Sequence, residues 1–88
     1  MISVYLAEDQ SMLNSALTKL LNLEDDLQVV GSALDGATAL NDILRLKPNV
    51  AVLDIEMPQS IGLDVAAELN RVQPETKVII LTTFEQKA

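Results

Sequence analysis

The sequence predicts an α/β domain in which a parallel sheet is covered on both faces by helices. Short β-branched runs alternate with segments whose apolar residues recur at helical spacing, in the order βαβαβαβ. The connections between them are short, as parallel crossover units require. Hydrophobic residues make up 49% of the chain and aromatics only 2%, so the core is expected from Leu, Ile, Val and Ala rather than from rings.

Ile2 to Ala7 is an apolar run that stops abruptly at Glu8-Asp9, as a buried strand does where it emerges at a sheet edge. From Gln10 onward, Leu13, Ala16, Leu17, Leu20 and Leu21 recur at helical spacing, with Asp9 or Ser11 available as N-cap and an end near Leu23. After the acidic turn Glu24-Asp25-Asp26, Leu27 to Gly31 reads as the second strand. Asp35-Gly36 marks a turn, and Asp35 is placed to cap a helix carrying Ala37, Leu40, Ile43 and Leu44. Pro48-Asn49 stops that helix before the strand Val50 to Asp54. Met57-Pro58 through Gly62 reads as a loop, followed by a helix marked by Leu63, Ala66, Ala67 and Val72 and closed by Pro74. Thr76 to Thr82, dominated by Val78-Ile79-Ile80-Leu81, is the fourth buried strand. No internal repeat, low-complexity tract or interdomain linker interrupts this order.

The 88 residues allow one small domain and exclude a second. Without cysteine or histidine, disulfides, thiolate zinc sites, Ser/His/Asp triads and histidine acid-base chemistry are all excluded. Thirteen acidic against 6 basic residues give a net charge of -7, which repels nucleic-acid phosphates and anionic membranes alike. The chain alone is therefore expected to bind neither. The start, Met1-Ile2-Ser3-Val4, lacks a basic segment followed by an apolar one, and no apolar run approaches the roughly 20 residues that span a bilayer. A cytoplasmic location is the default expectation.

In open α/β sheets, ligands bind beyond the carboxyl ends of the strands, where the strand order changes direction. Those ends carry Glu8 and Asp9, then Asp54, then Thr82-Thr83. Carboxylates brought together repel unless a cation neutralises them, and a hard divalent ion such as magnesium is the natural guest. Each feature alone has a plainer reading. Glu8-Asp9 could simply be an acidic helix start, Asp54 a strand terminator, and Thr82 an ordinary β-former. Their weight comes from occurring together. Glu24-Asp25-Asp26, Asp64, Glu68 and Glu75 read as solvated surface.

Taken together, Glu8-Asp9 after the first strand, Asp54-Ile55-Glu56-Met57-Pro58 with Gly62 after the third, and Thr82 after the fourth resemble the CheY-like response-regulator receiver domain. The resemblance covers all 88 residues and is closest to the NarL/FixJ class, within it the branch that controls membrane-lipid fluidity. It implies a flavodoxin-like, doubly wound sheet of order 2-1-3-4(-5), with residues 1-88 an incomplete receiver domain ending before helix 4, strand 5 and helix 5. It also implies that Asp54 accepts a phosphoryl group from a sensor histidine kinase. Asp9, Asp54 and the main-chain carbonyl of Glu56 would hold Mg2+, with Glu8 acting through a metal-bound water. Thr82 would contact the phosphoryl group and act as the switch, and Met57, Pro58 and Gly62 would shape the loop. The output would be transcriptional, through a DNA-binding domain outside this chain.

The family's strand-5 lysine has no counterpart here. Lys77 stands at the wrong end of its strand, Lys87 has no supporting motif, and Phe84 does not match the switch aromatic. Thr83 stands where many relatives have a small residue. Two other functions fit parts of the pattern: a Mg2+-dependent aspartyl-phosphate phosphohydrolase, and an interaction module that works without phosphorylation. Against the hydrolase, the second carboxylate after Asp54 is Glu56 rather than Asp, and the chain has no room for a cap segment. Without a fifth strand, Thr76 to Thr82 becomes a flat, apolar, uncharged edge, so the chain is expected to self-associate, burying Val78 and Ile80.

Overall fold

The structure, a computed structural model, describes residues 1–55 and 62–81. Its elements are β1 (Ile2–Ala7), α1 (Ser11–Asn22), β2 (Leu27–Ala33), α2 (Gly36–Leu46), β3 (Val50–Asp54), α3 (Gly62–Val72) and β4 (Lys77–Leu81). Every strand pair is parallel and the order across the sheet is β2-β1-β3-β4. The expected doubly wound α/β class and strand order are therefore observed. The chain passes from β1 to β2 on one side and then from β2 to β3 on the other side of β1, which places the switch point between the carboxyl ends of β1 and β3.

Local chemistry sets most of the boundaries. Asp35 caps α2 as expected, its side chain accepting the Thr38 N–H at 2.8 Å. The helix ends at Lys47, whose φ of 50° is left-handed and whose N–H reaches the Ile43 carbonyl at 2.9 Å. Pro48 then prevents continuation. α1 departs from the expectation: its N-cap is Gln10, not Asp9 or Ser11, and Gln10 makes no side-chain capping bond. The carboxylate that serves this turn is Glu8, which accepts the Gln10 N–H at 2.9 Å. β2 runs two residues past Gly31 because the Ala33 carbonyl accepts the Glu8 N–H at 3.1 Å. α3 starts at Gly62 itself rather than after it.

β4 starts at Lys77, not Thr76. Thr76 is buried in the preceding turn, where its hydroxyl donates to the Pro48 carbonyl at 2.9 Å and accepts from Gln73 Nε2 at 2.8 Å. Gln73 Nε2 also donates to the Ile43 carbonyl at 3.1 Å, so this buried polar cluster ties the end of α2 to the turn after α3. At the same end of the sheet, Asn49 Oδ1 accepts from the Ser3 N–H at 2.8 Å and fixes the entry of β3 beside β1.

The core lies between the sheet and helices α2 and α3, built from Tyr5 and Ala7, Ala33, Ala39 and Ile43, Ala51 and Leu53, and Val65 and Leu69. Expecting an entirely aliphatic core was wrong in one respect. The single tyrosine of the chain is fully buried there. In α2 the inward positions are Gly36, Ala39 and Ile43, whereas Ala37 and Leu44 are exposed. On the other face α1 packs against β1 and β2. β4 is the last strand of the sheet among the described residues, and it is neither uncharged nor apolar throughout, since it opens with the exposed Lys77. Val78 and Ile80 already pack against the core, and the exposed apolar residue of this strand is Ile79, at 54%.

Candidate functional site

β1 and β3 are adjacent and parallel, in a register that sets Ala7 beside Leu53. The residues that follow at their carboxyl ends are therefore brought side by side. Ligand oxygens of Glu8, Asp9 and Asp54 lie within 4.8 Å of one another. Glu8 and Asp54 are buried, and Asp9 is the most exposed of the three.

At 4.8 Å, two ionised carboxylates repel by about 3 kcal/mol at an effective dielectric of about 20. Three such pairs would approach the whole stability of a small domain, roughly 5–15 kcal/mol. The cluster therefore demands a bound proton or a cation. Glu8 shows such an effect. Burial pushes its carboxyl up to about 7, the Gln10 N–H opposes this, and the neighbouring Asp9 and Asp54 carboxyls add to the rise.

Glu8 Oε2 is held by the Gln10 N–H, whereas Oε1 is buried with no hydrogen-bond partner among the described residues. A buried carboxylate oxygen left over beside two further carboxylates fits a hard divalent cation with oxygen ligands. It does not fit a soft metal, for which the chain has neither thiolate nor imidazole.

Of the residues expected to form the site, Glu8, Asp9 and Asp54 are thus brought together. Gly62 lies at the first position of α3. Glu56, Met57, Pro58 and Thr82 lie outside the described residues, as do Thr83, Phe84 and Lys87. Lys77 pairs in register with Val50, at the end of the sheet opposite the acidic cluster. Asn14, on the inward side of α1, donates from Nδ2 to the carbonyls of Glu8 and Ala33 at 3.1 and 3.0 Å. Sequence reasoning passed over it; the signal was a polar pair, Asn14 and Thr18, at i,i+4 within the apolar helix.

Residues 4–88 match the family described as the response regulator receiver domain. The chain belongs to this family. The receiver domain is 55% identical over 84 residues to YvfU of Bacillus subtilis, described as an uncharacterized transcriptional regulatory protein, covering 96% of this chain and 42% of YvfU. It is 50% identical to the transcriptional regulatory protein DesR of the same organism, covering 96% of this chain and 41% of DesR. The chain thus spans about two fifths of the length of these curated relatives. Among solved structures, a DNA-binding response regulator of the LuxR family from Staphylococcus aureus superposes with a TM-score of 0.90 at 41% identity, over 98% of this chain and 72% of that one. The response regulator TrrA from Thermotoga maritima, in complex with Mg2+-BeF, superposes with a TM-score of 0.88 at 27% identity, over 96% of this chain and 71% of that one. The receiver domain is that of a two-component response regulator, and these curated relatives are described as transcriptional regulatory proteins. No helix among its described residues is long and apolar enough to cross a membrane.

Proposed function

We propose that Asp54 is the phosphoacceptor of this receiver domain, taking a phosphoryl group from a sensor histidine kinase with the help of Mg2+. The observation that carries the reading is the convergence of Glu8, Asp9 and Asp54 within 4.8 Å at the carboxyl ends of adjacent strands. Asp54 closes β3 as a rigidly held residue, and fixed geometry is much of what a phosphoryl acceptor contributes. An oxygen of Asp54 bonds to phosphorus as the phosphorus–nitrogen bond of the donor breaks, and the departing imidazole takes up a proton. Asp9 and Asp54, with the main-chain carbonyl of Glu56, would hold Mg2+, and Glu8 would act through a bound water. When bound, Mg2+ supplies the neutralisation of charge on the phosphoryl oxygens.

By their motif positions, Thr82 contacts the phosphoryl group and passes on the switch, and Met57, Pro58 and Gly62 shape the loop. The domain assists its own phosphorylation and dephosphorylation and works in the cytoplasm. It drives a transcriptional output through a DNA-binding domain that is not part of residues 1–88, and by itself it touches neither nucleic acid nor membrane. A second copy of this chain is its other partner. The TrrA structure, solved with Mg2+-BeF, supports the metal assignment by analogy.

The test is to treat the chain with acetyl phosphate and Mg2+ and map the label by mass spectrometry. One phosphoryl group on Asp54, absent in Asp54→Asn, is expected, together with weaker Mg2+ binding in Asp9→Asn. Label on Ser, Thr or another Asp overturns the assignment. Repeated turnover of p-nitrophenyl phosphate would favour a phosphohydrolase. Absence of Mg2+ binding would favour a phosphorylation-independent interaction module.

A further inference from the structure

Asn14 is 6% exposed, on the side of α1 that faces the strands. Asparagine is a poor helix former, and a buried amide is costly unless it is hydrogen-bonded, so packing alone would favour an aliphatic residue here. Both protons of its Nδ2 are used, one on the Glu8 carbonyl at 3.1 Å and one on the Ala33 carbonyl at 3.0 Å. The Ala33 carbonyl also accepts the Glu8 N–H at 3.1 Å, so Glu8 is held from both of its peptides. The Asn14 N–H itself bonds to the Gln10 carbonyl at 2.8 Å, in the first turn of α1.

The Glu8 carbonyl belongs to the peptide that joins Glu8 to Asp9, and the plane of that peptide sets the direction in which the Asp9 side chain leaves the backbone. We propose that Asn14 is a positioning residue that locks the Glu8-Asp9 peptide and thereby aims the Asp9 carboxylate at the divalent cation. This rests on the reading that the acidic cluster binds Mg2+. Asn14 touches neither cation nor phosphoryl group, and its effect reaches them through the main chain of Glu8.

The experiment titrates the wild-type chain, Asn14→Leu and Thr18→Val with Mg2+ and follows the Glu8, Asp9 and Asp54 amide resonances under conditions where all three are folded. Thr18 donates its hydroxyl to the Asn14 carbonyl at 2.8 Å and makes no bond to Glu8, so its variant reports a purely structural loss in the same helix. Replacing a partner that orients a metal ligand weakens binding by roughly 10–100-fold, and the lower end is expected for Asn14→Leu, with wild-type affinity in Thr18→Val. If Asn14→Leu does not fold, Asn14→Ser, too short to span both carbonyls, is read in its place. Unchanged Mg2+ affinity in a folded Asn14 variant overturns the proposal, as does an equal loss in Thr18→Val. A wild-type chain that binds no Mg2+ overturns the metal reading itself.

Discussion

The ring of Tyr5 fills the space in which a side chain at Gly31 would begin: a Cβ at Gly31 would stand 2.9 Å from Tyr5 Cε2 and 3.1 Å from Cδ2. The pairing of β1 with β2 shifts between Val4 and Tyr5, from Val4 beside Val29 to Tyr5 beside Gly31, leaving Val30 as the extra residue of a bulge. Neither partner can yield easily, because Tyr5 is fully buried and its hydroxyl donates to Asp42 Oδ2 at 2.6 Å.

Gly31→Ala is therefore expected to destabilise the fold. No glycine among the described residues has positive φ, so the backbone alone would favour alanine by about 0.4–1 kcal/mol. Overpacking a core costs typically about 1–3 kcal/mol and prevails. Urea denaturation should show a lower midpoint with an unchanged slope. A midpoint equal to or above wild type would mean that the ring moves aside freely.

Tyr5→Phe should cost about 1 kcal/mol, the net value of one hydrogen bond, and change the pH dependence at both ends. Burial, then the hydrogen bond to Asp42, raises the Tyr5 phenol above its usual range. Wild-type stability accordingly falls as pH rises above about 10, where only the unfolded chain ionises. The bond from Tyr5, aided by Arg45, holds the Asp42 carboxyl below its ordinary value, which adds stability that is lost as pH falls through the lowered value. In Tyr5→Phe both slopes should flatten, and an NMR titration of Asp42 should move upward. An Asp42 titration identical in the two proteins would remove Tyr5 as the cause.

Glu8 gives the sign opposite to that of Asp42. Its carboxyl titrates near 7 rather than at the ordinary 4.5. Between those values the unfolded chain releases a proton that the folded chain keeps, so in Mg2+-free buffer stability should fall as pH rises from about 4.5 to 7. Glu8→Gln should remove this slope and raise stability at neutral pH by about 1–2 kcal/mol, less than the full shift implies because the neighbouring Asp9 is exposed and screened by solvent. Mg2+ should restore part of the wild-type stability at neutral pH and also stabilise the variant, which keeps Asp9 and Asp54. Parallel pH profiles for the two proteins would contradict the burial argument.

β4 is the edge of the described sheet, with Ile79 54% exposed. Self-association through this edge at micromolar concentration is expected in sedimentation, and Ile79→Lys, which places a charge on the edge, should shift the chain toward monomer. A wild-type chain that stays monomeric on concentration would show that the edge is tolerated.

Most of the fold was legible because its signals are local. β-branched runs become strands, Asp35 caps α2, and Pro48 ends it. The α1 register was less legible: Leu13, Ala16, Leu17, Leu20 and Leu21 share an arc of about 140°, and the side that is buried is rotated toward one edge of it. Packing chooses it, turning Asn14 inward and leaving Ala16 and Leu20 exposed. The bulge at Val30 was equally hidden, since it answers the size of the Tyr5 ring on the neighbouring strand.

The sequence by itself determined the type and order of the elements. Because alternating strands and helices make a parallel sheet, it also determined that Glu8, Asp9 and Asp54 emerge at one end of it. Only the tertiary structure decided what state those groups are in. The elevated Glu8 carboxyl, its buried Oε1 with no hydrogen-bond partner among the described residues, and the Asn14 brace each depend on atoms from elements far apart in the chain. Desolvation and hydrogen bonding act over a few ångströms of space, and no spacing along a sequence encodes that distance.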